Sequence, residues 1–148
     1  MLSNSPIVIY KTNLTKRIVA TLIDYTIFSI PIYLYMMYFG TDNNEGSRTI
    51  NGIMVLPIPV FWLIYFVLSE TFYGATLCHH GLNLKVMTID KKEINFTQAF
   101  KRRLLDVIDI FIYGIPALIA IKNSEKHQRL GDMWAKTIVV DTKDPQQQ

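Results

Sequence analysis

The sequence predicts an all-α membrane protein: two full transmembrane helices, a third helical segment that is broken or re-entrant, and a short cytoplasmic pairing of β-like strands. Three observations lead there. Half of the 148 residues are hydrophobic and only 18% are charged, and the mean hydropathy is +0.21, an unusual balance for a soluble domain. The apolar residues gather in three blocks, Ile18 to Phe39, Ile53 to Phe72 and Leu104 to Ile121. The basic residues lie beside those blocks, so membrane orientation accounts for a pI near 9.0 better than nucleic-acid binding does.

Residues 1–16 form a polar leader with Lys11 and Lys16, and Arg17 opens the first helix, which places this end in the cytoplasm. The first two blocks are long enough to cross a hydrocarbon core, which takes about 20 helical residues. The first begins too far in and runs too long for a cleaved signal peptide, so it is expected to stay as an anchor. The loop from Gly40 to Gly52 is a run of turn formers with Asp42 and Glu45 against Arg48, which suits the outer face. Pro57 and Pro59 stand near the start of the second block, where membrane helices tolerate them. Trp62 lies too deep for an interfacial anchor and is read as packing.

From Gly74 to Arg103, six lysines and arginines outnumber Asp90 and Glu93, so this loop is read as cytoplasmic. Within it, Leu84 to Asp90 alternates roughly and carries β-branched residues, as a short strand does. Asn95 and Gln98 have capping-box spacing, opening an amphipathic helix at Phe96 with Phe100, Leu104 and Ile108 on one stripe. The third block carries Asp106 and Asp109 near its start and a Gly114-Ile115-Pro116 break later, and a strand-like Thr137 to Val140 follows it. Two short strands pair only on the same side of the membrane, which favours a re-entrant segment with its tip near Gly114 to Pro116. Residues 17–141 then form one membrane domain, and 142–148 a disordered tail.

Several residues carry candidate chemistry. Arg17 and Asp24 lie seven apart, on one helix face with Thr21 between them. A mid-helix aspartate costs roughly 2.5 to 3.5 kcal/mol to insert, so a partner or a water-filled cavity is expected; the alternatives are a structural ion pair or helix-to-helix hydrogen bond, an ion or proton site, and a polar residue tolerated near the surface. Asp106 and Asp109 share a face, with Arg102 and Arg103 a turn before them in an intrahelical charge ladder; it is structural, or it faces a cavity and handles a cation or proton. Glu70, at the end of the second span, needs no special role. The adjacent His79 and His80 point in different directions, and Cys78 is the single cysteine, so neither a disulfide nor a metal site is expected. Gln128 to Asp132, QRLGD, is read as a structured turn beside Gly74 to Leu77, with Gly131 at a helix end or tight turn and Asp132 accepting hydrogen bonds. The sequence holds no nucleotide loop, catalytic triad signature or zinc-protease motif, so neither enzymatic activity nor a cofactor is expected.

Three stretches in order, KRIVATLIDYTIF, GATLCHHGLNLKVMTIDKKEINFTQAFKRRLLDVIDIF and HQRLGDMWAKTIVVD, resemble the RDD family of small membrane proteins, named for one arginine and two aspartates. The resemblance runs from about Lys16 to Asp141. It implies that Arg17 and Asp24 are the arginine and first aspartate, and it leaves both Asp109 and Asp132 open as the later one. The chain departs from the family's pattern at Cys78, His79 and His80, where members carry a Gly-Lys or similar basic pair after GxTL. The resemblance implies a fold more than an activity.

Two functions are consistent with these residues. One is a small transporter or ion-translocating subunit in which Arg17, Asp24, Asp106, Asp109 and Asp132 line a polar site. The other is a non-transporting membrane adaptor or assembly subunit whose charges are structural. The partners expected are the lipid bilayer and either a second copy or a membrane protein, with no nucleic acid. The expected location is a bacterial inner membrane, crossed more than once.

Overall fold

The computed structural model describes Lys11 and residues 13–43, 46–111 and 115–145, the side chains of 107–111 and 117–118 excepted. Helix α1, Leu14–Phe39, has 26 residues, about 39 Å at 1.5 Å per residue, and so exceeds a hydrocarbon core of about 30 Å. It takes in the last residues of the leader, and Lys16 pairs with Asp141 far along the chain. The Gly40 to Gly52 stretch is more than a loop. Strands β1, Thr41–Asp42, and β2, Arg48–Thr49, pair antiparallel there. Arg48 Nη1 donates to the Met37 carbonyl in the last turn of α1, where carbonyls lack intrahelical partners.

The second apolar block is one helical run with a change of pitch. A 3₁₀ turn, Gly52–Val55, leads into α2, Pro57–Trp62; a π segment, Leu63–Leu68, follows, and then α3, Ser69–Tyr73. Pro57 sits where a missing N–H costs nothing, because first-turn donors have no helical acceptor. The π segment changes which side chains share a face. Residues five apart on an α-helix are about 140° out of phase, whereas i to i+5 bonding brings them nearly into line, and Tyr65 and Glu70 are such a pair.

On both long helical runs the apolar side chains face outward: Leu22, Ile30 and Leu34 on α1, and Ile53, Val60 and Ile64 on the second run, are exposed. Water would oppose such a surface and lipid favours it. Both runs are long and apolar enough to cross a membrane.

Gly74, at φ 68°, stops α3 in a left-handed conformation that suits glycine. Helix α4, Leu77–Gly81, and strand β3, Leu84–Thr88, follow. The strand pairs antiparallel with β4, Thr137–Asp141, in the register Leu84 to Asp141 through Thr88 to Thr137. The two strand-like stretches therefore meet as expected. Thr142 N–H continues the bonding to the Asn83 carbonyl at 2.8 Å. A core of Val67, Val86, Ile94 and Ala99 joins the π segment to β3 and α5, with Trp62, Phe100 and Val139 against it. Trp62 is a packing residue, as its depth implied.

Helix α5, Phe96–Phe111, opens with the reciprocal cap: Gln98 N–H donates to Asn95 Oδ1 at 2.9 Å and Asn95 N–H to Gln98 Oε1 at 3.1 Å. Its amphipathicity is inverted. Ala99, Arg102, Arg103 and Asp106 are buried and Leu104 is exposed, so the expected stripe of Phe100, Leu104 and Ile108 is not the packed one; Phe100 turns inward, and the Ile108 side chain lies outside the described residues. Of the third block, the described residues give α5 as far as Phe111 and α6 as Ile115–Asn123. Of the expected tip, Gly114 lies outside the described residues.

A short helix, α7, Leu130–Ala135, replaces the expected QRLGD turn. Gly131 stands in its first turn, near a helix end, but the helix packs on α5 rather than beside the Gly74 to Leu77 stretch. A Cβ on Gly131 would stand 2.7 Å from the Arg102 carbonyl oxygen and 3.2 Å from Arg102 Cα, so only hydrogen lets the two helices close. This fixes a sign. In an open helix Gly131→Ala would gain roughly 1 kcal/mol of propensity; here overpacking of about 1–3 kcal/mol outweighs it, and denaturant unfolding in detergent should show a net loss of stability.

Candidate functional site

Arg102 and Arg103 are successive residues of α5 and both are buried, which requires negative charge from other elements. Glu70 of α3 supplies part of it. Arg103 Nη2 donates to Glu70 Oε1 at 2.5 Å, and Arg102 Nε and Nη2 reach the same carboxylate at 3.3 and 3.4 Å. Arg102 also donates through Nη1 to Asp132 of α7 and, at 2.9 Å, to Thr137 Oγ1. Asp132 takes its second cation from α1: Arg17 Nη2 donates to Oδ2 at 2.7 Å, while Arg17 Nη1 donates to the His127 carbonyl at 2.7 Å. The same Oδ2 accepts the Arg129 N–H at 3.0 Å, which caps α7. At the other end Arg103 Nη1 donates to Asp106 at 2.6 Å, and Arg129 Nη1 stands 3.9 Å from Asp106.

The result is an alternating chain, Arg17–Asp132–Arg102–Glu70–Arg103–Asp106–Arg129, drawn from α1, α3, α5 and the start of α7. Each carboxylate is shared between two guanidinium groups. Burial alone would raise the Asp132 carboxyl, but Arg102, Arg17 and Arg129 overcome it and hold the group at about 2.

Asp24 lies outside this chain. It is one of the most buried groups on α1, and its two oxygens are saturated by neutral donors and one histidine. Thr76 Oγ1 donates to Oδ2 at 2.5 Å, Tyr65 OH to Oδ1 at 3.0 Å, and the Cys78 N–H to Oδ1 at 3.2 Å. His79 Nδ1 lies 3.0 Å from Oδ2 and 2.8 Å from Thr76 Oγ1, so a proton there points at the carboxylate. The change of pitch at Leu63–Leu68 lets one helical run send Tyr65 to this cluster and Glu70 to the arginines.

Of the residues singled out in the sequence, Arg17, Asp24, Asp106 and Asp132 are all buried. Arg17 and Asp24 share an inward face but do not pair with each other; Arg17 goes to Asp132 and Asp24 to the α4 region. Of the expected ladder, Arg103 to Asp106, three residues on, is made, while among the described residues Arg102 turns instead to Glu70 and Asp132. The Asp109 side chain lies outside the described residues. Sequence reasoning missed Glu70, which is a hub of the chain rather than an idle interfacial acid. It also missed the part played by Thr76, Tyr65 and His79, although His79 does face inward while His80 is exposed. The available signal for Glu70 was its place at the end of an otherwise uncharged span, opposite an Arg-Arg pair.

The model of the RDD family matches residues 11–136, and the chain belongs to that family, whose members are generally small membrane proteins. No curated protein and no solved structure matches it.

Removing one partner of a buried pair leaves an uncompensated charge, so Asp132→Ala, which strips both Arg17 and Arg102, should cost about 3–5 kcal/mol of stability in detergent. Asp132→Asn, which keeps an acceptor, should cost less. A loss within about 0.5 kcal/mol for the alanine variant, as at an ordinary surface site, would contradict the network. The pH dependence has a definite sign. A carboxyl held below its unfolded value of about 3.9 stabilises fully above that value and loses its contribution as pH falls through the folded value. With Asp132 at about 2, wild-type stability should drop from pH about 4 toward 2, and Asp132→Asn should flatten that slope.

Proposed function

We propose that this RDD-family membrane protein is a non-transporting adaptor or assembly subunit, in which the buried arginine–carboxylate chain locks the membrane helices to the β3–β4 sheet. One observation carries the reading: Glu70, Asp106 and Asp132 are each held between two arginines of the same chain. An acid committed in this way is a poor carrier, because releasing it strands buried cations. The bilayer is its solvent, and a second copy or another membrane protein is its partner.

In this reading the N-terminus, Gly74 to Arg103 and the C-terminus are cytoplasmic, Thr41 to Asn51 is outside, and the α5–α6 segment enters the membrane without crossing it. The location is the cell membrane of a bacterium, with α1 and the second helical run as full spans. The β3–β4 pairing supports this topology, since both ends of the intervening segment return to one place, and so does the Lys and Arg distribution.

A second reading rests on Asp24. Its partner His79 is titratable and its other donors are neutral, which suits a proton- or ion-translocating subunit better than the arginine chain does.

One measurement tests the topology, and a second separates the adaptor from the translocating subunit. In a Cys78→Ser background, Ser47→Cys should react with a membrane-impermeant maleimide in intact cells and Lys143→Cys should not; labelling of Lys143→Cys would make the third segment a full span. In liposomes holding a pH-sensitive dye, wild type and Asp24→Asn should behave alike. A flux that disappears in Asp24→Asn would reject the adaptor and favour translocation.

A further inference from the structure

We propose that α7 is an interfacial anchor whose exposed stripe of Leu130, Met133 and Trp134 lies in the headgroup–acyl boundary of the bilayer. The three residues stand at i, i+3 and i+4 and so form one helix face. They are 41, 45 and 50% exposed, while Gly131, Asp132 and Ala135 on the other face are buried. A helix that turns its carboxylate inward and its tryptophan outward is patterned for an apolar surrounding on the outer side.

The ion pairs set the depth of this face. Asp132 is bonded to Arg17, in the first turn of α1, and through Arg102 to Glu70, in the first turn of α3. The two long runs are joined by the β1–β2 hairpin, so the start of α1 and the end of the second run lie at the same end of the pair. Helix α7 therefore sits at the level where the apolar spans finish. Phe72 and Tyr73, at that end of the second run, are exposed apolar residues as well.

The chemistry of the face fits one occupant. Tryptophan collects at membrane interfaces, where its ring meets the acyl boundary and its N–H meets water. Lys101 Nζ lies over the Trp134 ring, 5.5 Å from its centroid, which sets a positive charge beside the same face. Lys136, just beyond the helix, is exposed as well, adding positive charge for anionic headgroups. The bilayer surface, rather than a protein, is the partner that supplies both acyl chains and phosphates. The bilayer contact of α7 does not depend on whether Asp24 translocates anything.

The chain has two tryptophans, so Trp62→Phe leaves Trp134 as the one indole emitter. The full chain is reconstituted in vesicles of phosphatidylcholine and phosphatidylglycerol, with phosphatidylcholine brominated either near the top or near the end of its acyl chains. An interfacial helix sits about 5–10 Å into the boundary, so shallow bromines should quench Trp134 more than deep ones, and aqueous acrylamide should quench it weakly. Equal emission in brominated and plain vesicles overturns the proposal: with strong acrylamide quenching the face is in water, and without it the face is covered by protein. If Trp62→Phe does not fold, the difference between wild-type and Trp134→Phe emission in the same vesicles gives the same two outcomes.

Discussion

Two adjacent arginines on α5 cannot be buried unless carboxylates from elsewhere in the chain come to meet them, and most of the architecture follows from that requirement. Glu70 arrives from the end of the second helical run and Asp132 from α7, and Asp132 brings Arg17 of α1 with it. Four separate pieces of sequence are thus tied at one level of the molecule. The desolvation cost of such a cluster is large, and apolar residues of the same shape would often be as stable. What the charges add is register, because a guanidinium fork accepts few positions for its partner.

The same requirement accounts for the inverted surface. Helix α5 turns Arg102, Arg103 and Asp106 inward and leaves Leu104 out, and α7 turns Asp132 inward and leaves Trp134 out. In water these faces would be reversed. The close contact of Gly131 with the Arg102 backbone belongs to the same arrangement, since Asp132 can reach the Arg102 guanidinium only if α7 lies almost on α5.

Asp24 shows how two acids in one protein acquire different characters from their surroundings. Asp132 faces arginines, which are charged under all ordinary conditions. Asp24 faces two hydroxyls, a backbone N–H and a histidine, and burial pushes that histidine's pKa down, toward the neutral ring. The π segment makes the separation possible, because a uniform α-helix would not turn both Tyr65 and Glu70 inward.

The apolar spans, the Asn95–Gln98 cap, the strand-like stretches around Val86 and Val139 and the family were all legible in the sequence, because each is a local or compositional signal: hydrophobic length, a three-residue spacing, β-branched alternation. The inward face of Arg17 and Asp24 was legible for the same reason, since helical periodicity alone sets it. Which partner each charge takes was not. Glu70 and Arg102 are 32 residues apart and Arg17 and Asp132 are 115 apart, and nothing local distinguishes those pairs from the nearer alternatives Arg17–Asp24 and Arg102–Asp106. Tertiary packing chose them: Gly131 lets α7 reach the α5 backbone, and the π segment turns Tyr65 and Glu70 to the same side. Periodicity determines the face on which a charge lies, and only the fold determines what stands opposite it.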